Sequence, residues 1–124
     1  MVRWLMVAAG GGIGSLLRYV LVTTIMERFA VRFPLGTFLI NVTGSFLIGL
    51  LMPLLTERFD WNPNWRLLLV VGFLGGYTTF SSFEYETFQS VRGGAHWLAL
   101  GYVMGSVILG YAGVWLGFRL ASRI

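Results

Sequence analysis

The sequence predicts an all-α membrane protein with four transmembrane helices in a single domain that covers residues 1–124. Hydrophobic residues make up 56% of the chain and charged residues only 11%, a balance that suits lipid better than water. The apolar residues fall into four long segments, and the loops between these segments are too short to hold an extramembrane domain. The spans are expected at about residues 4–26, 34–56, 67–90 and 95–118.

Long runs without charge define these segments. Residues 34–56, 67–83 and 95–118 contain no charged side chain, and residues 4–26 contain only Arg18. At about 1.5 Å per residue, each run is long enough, or nearly so, to cross roughly 30 Å of hydrocarbon. The first segment is too long for the core of a signal peptide, so we expect it to be a retained helix.

Composition also excludes several functions. Cysteine is absent, which rules out disulfides, thiol catalysis and cysteine metal sites, and the sole histidine, His96, is expected at a membrane interface. No His, Cys and carboxylate groups occur at catalytic spacing, so an enzyme is not expected. The net charge of +4 comes wholly from arginine, without a basic cluster or soluble module for nucleic acid. We expect these arginines to lie at lipid headgroups.

The arginines also bear on topology. With four spans, both termini share a side with the second loop, and that side carries five arginines against three in the first and third loops. Because this bias is weak, two interpretations stay open: the chain inserts in both orientations and pairs antiparallel, or one orientation wins by a modest margin. The five arginines are Arg3, Arg58, Arg66, Arg119 and Arg123.

Glycine spacing predicts close helix packing. Three pairs of glycines lie four residues apart, which lets helix backbones approach closely. Four helices of this length fill their own centre with side chains, so we expect the functional site at a subunit interface. The pairs are Gly10 with Gly14, Gly101 with Gly105, and Gly113 with Gly117.

Polar residues inside the second span are the next candidates, because each is costly in lipid and usually faces a partner, a cavity or a pathway. Thr37, Asn41 and Ser45 recur every four residues and therefore share one helix face, and Thr43 lies close to them. Interhelical hydrogen bonding would explain each of them singly.

The third span is expected to be broken in mid-membrane. Its sequence GGYTTFSSFEYE, residues 75–86, combines paired glycines with several hydroxyl residues, which weakens a continuous helix. A break frees backbone carbonyls, which need protein, water or an ion at membrane depth, and carbonyl oxygens suit a hard cation. Beyond the break, Thr79, Ser82 and Glu86 fall on one face.

Phe80 and Phe83 form a stripe beside that face. A phenylalanine ring has a positive rim, so its edge accommodates a small anion, although ordinary packing would explain the two rings alone. An anion pathway also needs donors without a fixed charge that would trap the ion, and Asn41 with the hydroxyl residues meets this need.

The chain resembles the fluoride channel family called Fluc or CrcB. The resemblance covers nearly the whole chain, and three ordered segments carry it. They are residues 11–19 (GGIGSLLRY), 36–46 (GTFLINVTGSF) and 75–83 (GGYTTFSSF), of which the last is the most specific.

The resemblance implies an antiparallel, dual-topology homodimer with two pores that let toxic fluoride leave the cytoplasm passively, in the inner (plasma) membrane of a prokaryote. Phe80 and Phe83 would form an aromatic box for fluoride, with Asn41 as a pore donor. The backbone carbonyls of Gly75 and Thr78 would hold a central structural sodium ion on the dimer axis. A polar track would run beside the phenylalanines, formed by Thr79, Ser82, Glu86, Tyr102 and Ser106.

Some positions depart from the family pattern. Ser82 stands where many members have threonine, and Glu84, where many have serine, receives no site role. Gly110 stands where a hydroxyl would extend the track. Arg18 is expected to have a structural role, either paired with an acid or reaching one membrane interface.

Two other functions fit some of these features. A small four-helix multidrug exporter shares the length and dual topology but needs a membrane-embedded carboxylate, which the first span lacks. A non-transporting scaffold subunit would explain the glycines without needing Asn41 or the broken span.

Overall fold

The structure, a computed structural model, describes all residues 1–124 and is helical throughout, with no strands. Four helical spans are long and apolar enough to cross a membrane, which confirms the predicted all-α architecture: Val2–Phe29, Leu35–Arg58, Pro63–Arg92 and His96–Ala121. Their elements are α1 (Val2–Phe29), α2 (Leu35–Pro53), α3 (Pro63–Arg66), α4 (Gly75–Tyr77), α5 (Ser81–Arg92) and α6 (His96–Ala121). Wider π-helical turns follow α2 at Leu54–Arg58 and α3 at Leu67–Leu74.

The helices extend past the charge-free segments because helical hydrogen bonding continues into the polar flanks. The first helix ends where Ala30 turns left-handed, at φ 42°, and its N–H donates to the carbonyl of Met26. The third span begins at Pro63, whose fixed φ suits a first helical position, while the side chain of Asn62 accepts a hydrogen bond from the N–H of Asn64.

The third span changes conformation near its middle. Helix α4 ends at Tyr77, Thr78 has extended backbone angles (φ −83°, ψ 157°), and α5 begins at Ser81. Three residues between these helices, 78–80, therefore lie outside regular helical structure. Their main-chain groups need partners from elsewhere in the molecule.

Glycines allow two pairs of helices to pack closely. Helix α1 meets the third span where Gly14 lies against the carbonyl of Phe73, and α2 meets α6 where Gly117 lies against the carbonyl of Phe46. A Cβ atom at either glycine would collide with main-chain atoms, so only glycine permits this approach. Gly101 and Gly105 do not bring another helix backbone close within one chain, because a Cβ at Gly101 would have no atom within 4 Å and one at Gly105 would meet only the Phe38 side chain.

The centre of the bundle is filled by side chains. Ile40, Leu74 and Tyr77 form the buried cluster, and the Tyr77 ring stacks on Phe73 with centroids 5.7 Å apart. The Tyr77 hydroxyl lies 2.9 Å from the hydroxyl of Thr43, which satisfies both groups. Polar clefts consequently open on the outside of the bundle rather than along its axis.

Candidate functional site

Asn41 fixes the non-helical residues of the third span. Its Nδ2 donates to the carbonyl of Thr79, and its Oδ1 accepts from the N–H of Thr79, both over 2.9 Å. The second Nδ2 hydrogen remains for another acceptor. Asn41, predicted as a pore donor, therefore also holds the backbone that presents Thr79.

Arg18 supports the same region from the side of α1. Its Nε donates over 3.0 Å to the carbonyl of Gly76, in the last turn of α4. This partner is neither an acid nor a membrane interface, the two alternatives that the sequence left open. Arg18 thus has a structural contact, because it satisfies a carbonyl at a helix end.

The carbonyls of Gly75 and Thr78 are among those next to residues 78–80 that lack their usual helical donors. The N–H of Thr79, four residues beyond Gly75, donates to Asn41, and the N–H of Ser82, four residues beyond Thr78, donates to the Thr79 hydroxyl over 3.3 Å. In a continuous helix these two N–H groups would bond to the carbonyls of Gly75 and Thr78. Those are the carbonyls predicted from the resemblance to hold sodium.

The chain offers no cluster of three or more His, Asp or Glu side chains for a metal ion. A hard cation here would therefore rely on oxygens of the main chain or of hydroxyls. The freed carbonyls of Gly75 and Thr78 fit that requirement.

A groove with a volume of about 590 Å³ opens beside residues 78–80. It is lined by several residues of the predicted site together with the apolar residues around them. The predicted residues are Asn41, Gly75, Thr78, Thr79, Phe80, Phe83 and Ser106, and Ser45 joins them.

Phe80 and Phe83 differ sharply in exposure within this groove. Phe80 is 74% exposed and Phe83 only 7%, with their ring centroids 6.0 Å apart. Phe83 also meets the ring of Tyr102 edge to face, at 5.0 Å and 71°. The groove therefore leads from an exposed aromatic ring to a buried one.

Two buried hydroxyls near Phe83 have no hydrogen-bond partner. The hydroxyl oxygens of Tyr102 and Ser106 are both inaccessible and unpaired, and Tyr102 is fully buried. Leaving such a group unpaired costs about 1–3 kcal/mol. Of the two residues, Ser106 lines the groove, whereas Tyr102 does not line it and contacts Phe83 through its ring.

A second cleft, of about 260 Å³, lies between α1, α2 and α5. Ser82 and Glu86 line this cleft and not the groove, and Glu86 accepts a 2.7 Å hydrogen bond from the hydroxyl of Thr37. Thr79 lines both cavities. The predicted polar track is thus divided in the single chain, with Thr79 at the division.

Three residues outside the predicted site also line the two cavities. Thr37, Ser45 and Arg18 line the two cavities although none was included in the predicted site. The four-residue spacing of Thr37, Asn41 and Ser45 pointed to the first two, and a lone charge inside a span pointed to the third. Glu84 is exposed and lines neither cavity.

Fold and site together define a multi-pass membrane protein whose polar residues gather around residues 78–80 of the third span. The chain belongs to the CrcB family: residues 5–118 match CrcB-like protein, Camphor Resistance (CrcB).

Curated relatives match nearly the full chain. A protein of Solibacter usitatus named Fluoride-specific ion channel FluC is 60% identical over 121 residues, which cover 98% of this chain and 99% of the relative. Proteins of the same name from Acidobacterium capsulatum and Hydrogenobaculum sp. are each 48% identical over 122 residues, or 98% of this chain and 98% and 99% of theirs.

Proposed function

We propose that this protein is a fluoride-selective passive ion channel that exports fluoride from the cytoplasm, and that it is not an enzyme. The relatives named as fluoride-specific channels support this function. The structural observation that carries it is the groove lined by Phe80, Phe83 and the unpaired hydroxyl of Ser106, where the buried Phe83 ring meets the ring of Tyr102 edge to face.

This chemistry suits a small, strongly hydrated anion. Ring edges carry partial positive charge, and hydroxyl groups donate strong hydrogen bonds to fluoride in place of water. No arginine lines the groove, so no fixed positive charge would trap the ion. Binding sites of this kind let an anion enter and leave, as conduction requires.

A second copy of the chain is expected to complete the pathway. The groove opens at the protein surface and Phe80 is largely exposed, although an aromatic ring that contacts a permeating ion has to be shielded from lipid. In an antiparallel, dual-topology homodimer each protomer contributes one groove, which makes two pores per dimer. The nearly even distribution of arginines supports insertion in both orientations.

A sodium ion is proposed at the dimer axis. The third span is broken in mid-membrane in this proposal, and the Gly75 and Thr78 carbonyls of two copies surround the ion. The N–H groups of Thr79 and Ser82, which would bond to these carbonyls in a continuous helix, donate to side chains instead, and this supports the assignment. When bound, sodium would supply the positive charge that compensates these carbonyl dipoles in lipid.

The protein is proposed to reside in the inner membrane of a prokaryote, in contact with lipid and without a nucleic-acid partner. Passive export requires only a path across this membrane and no energy coupling.

Efflux from liposomes tests the channel. Vesicles containing purified protein are loaded with fluoride or chloride, and release is followed with an ion electrode without a proton gradient. Rapid fluoride loss with chloride retained is expected. Retention of both anions by inserted dimers would contradict the channel, and proton-driven cation uptake in the same vesicles would identify an exporter.

The sodium ion needs a separate measurement. Protein purified in sodium, or with potassium in its place, is compared by size-exclusion chromatography at decreasing concentration. A dimer that dissociates at higher protein concentration without sodium is expected, and identical profiles would contradict a structural sodium ion.

A further inference from the structure

A third cleft lies at the end of the bundle where α1 and the third span begin. Its volume is about 690 Å³. Both spans reach their terminal turns here, so the cleft lies where protein leaves the hydrocarbon. It is lined by Met1, Val2, Arg3, Asn62, Pro63, Asn64, Arg66 and Leu67.

The polar side chains of this cleft are donors. Arg3 and Arg66 are exposed, and neither guanidinium donates a hydrogen bond within the chain. Asn62 uses only its oxygen, which accepts from the N–H of Asn64, so its amide hydrogens stay free. No acid lines the cleft, so the two guanidinium groups and the α-amino group of Met1 are uncompensated.

Tryptophans mark this end of the bundle as the headgroup region. Trp4 is 78% exposed on the first turn of α1, and the exposed rings of Trp61 and Trp65 lie 5.7 Å apart beside the cleft. Tryptophan is enriched at membrane–water interfaces, where its apolar ring and N–H group meet different surroundings. The cleft therefore opens at the depth of lipid phosphates.

We propose that this cleft binds the phosphate group of an anionic phospholipid. Two arginines converge on a phosphate through charge-assisted hydrogen bonds, and the asparagine amides add neutral donors. Val2 and Leu67 provide an apolar wall that leads toward the exposed Leu5, where an acyl chain would lie. A free phosphate ion would make no use of this apolar surface, which is why we assign a lipid.

Native mass spectrometry of the purified protein tests the site. The protein is released from micelles that contain equal amounts of phosphatidylglycerol and phosphatidylcholine, and retained lipids are counted. Wild type is expected to retain phosphatidylglycerol preferentially. In the double variant Arg3→Gln/Arg66→Gln the preference for phosphatidylglycerol should fall roughly thirtyfold, because two arginines that attract an anionic headgroup are lost.

Two comparison variants separate a specific site from general attraction. Arg28→Gln/Arg92→Gln removes the same charge from exposed positions elsewhere and should keep the preference, and Arg3→Lys/Arg66→Lys should keep much of it. Equal losses in the two glutamine variants would overturn the proposal, as would unchanged retention in Arg3→Gln/Arg66→Gln. Inorganic phosphate adducts that displace the lipid at millimolar phosphate would overturn the lipid assignment.

Discussion

Asn41 on α2 pairs with both main-chain groups of Thr79 in the third span, as donor to the carbonyl and acceptor from the N–H. One amide side chain thus takes the place of two helical hydrogen bonds. The partners are 38 residues apart, so the conformation between α4 and α5 depends on the neighbouring helix.

Replacing Asn41 should damage this conformation. In Asn41→Ala both bonds are lost, and we expect a destabilisation of about 2 kcal/mol, at about 1 kcal/mol for each bond. Thermal unfolding in detergent measures this effect. Asn41→Asp keeps the acceptor but places a carboxylate against the Thr79 carbonyl, so fluoride efflux should fall as well. Wild-type efflux in Asn41→Asp would show that the donated bond is dispensable.

Phe80 should matter for transport more than for folding of the protomer. Phe80→Leu removes the ring edge from an exposed position, so little packing within the chain is lost. Fluoride efflux should fall about tenfold, corresponding to an aromatic contribution of roughly 1.4 kcal/mol. Phe88→Leu provides the control, since Phe88 is also exposed in the third span but lines neither the groove nor the second cleft. Equal efflux in both variants would argue against a role for the Phe80 ring.

Removing the unpaired hydroxyl of Tyr102 should lower fluoride transport without lowering the stability of the protein. Tyr102→Phe removes a buried oxygen that has no partner, so stability should stay constant or rise by up to about 1 kcal/mol. Fluoride efflux should nevertheless fall, because a donor is lost. The matched variant Tyr111→Phe, on the exposed face of α6, should change neither quantity. A clear loss of stability in Tyr102→Phe would mean that its hydroxyl is already paired.

Glycine substitutions should rank by available space. A Cβ at Gly14 would meet the Phe73 carbonyl, whereas a Cβ at Gly12 would have no atom within 4 Å. Gly14→Ala should therefore destabilise the protein by about 1–3 kcal/mol through overpacking. Gly12→Ala should be neutral or slightly stabilising, because alanine favours helix. Thermal unfolding of the two variants side by side decides this, and equal melting temperatures would contradict the close α1 packing.

The spans could be predicted from sequence because absence of charge reports directly on burial in lipid. The same criterion places helix ends poorly. Helix α1 begins at Val2 and the third span ends at Arg92, both outside the predicted segments, because arginines at span ends remain helical while their charges reach water. The π-helical turn at Leu67–Leu74 had no recognisable sequence pattern, since its residues are uniformly apolar.

The polar lining of the groove was predictable in its residue types and only partly in its arrangement. Spacing within one helix placed Asn41 and Ser45 on a shared face, and both line the groove. Pairings between helices depend on how the helices pack, which local spacing does not encode. The bonds from Asn41 to Thr79 and from Arg18 to Gly76 are of this kind.

The two glycine-mediated helix pairs have a consequence for biosynthesis. The closest backbone contacts join the first span to the third and the second span to the fourth. None of these contacts joins two spans that are consecutive in the chain. During translation, an early hairpin of the first two spans would lack both of these backbone contacts. The contact between the second and fourth spans can therefore form only after the last span has entered the membrane.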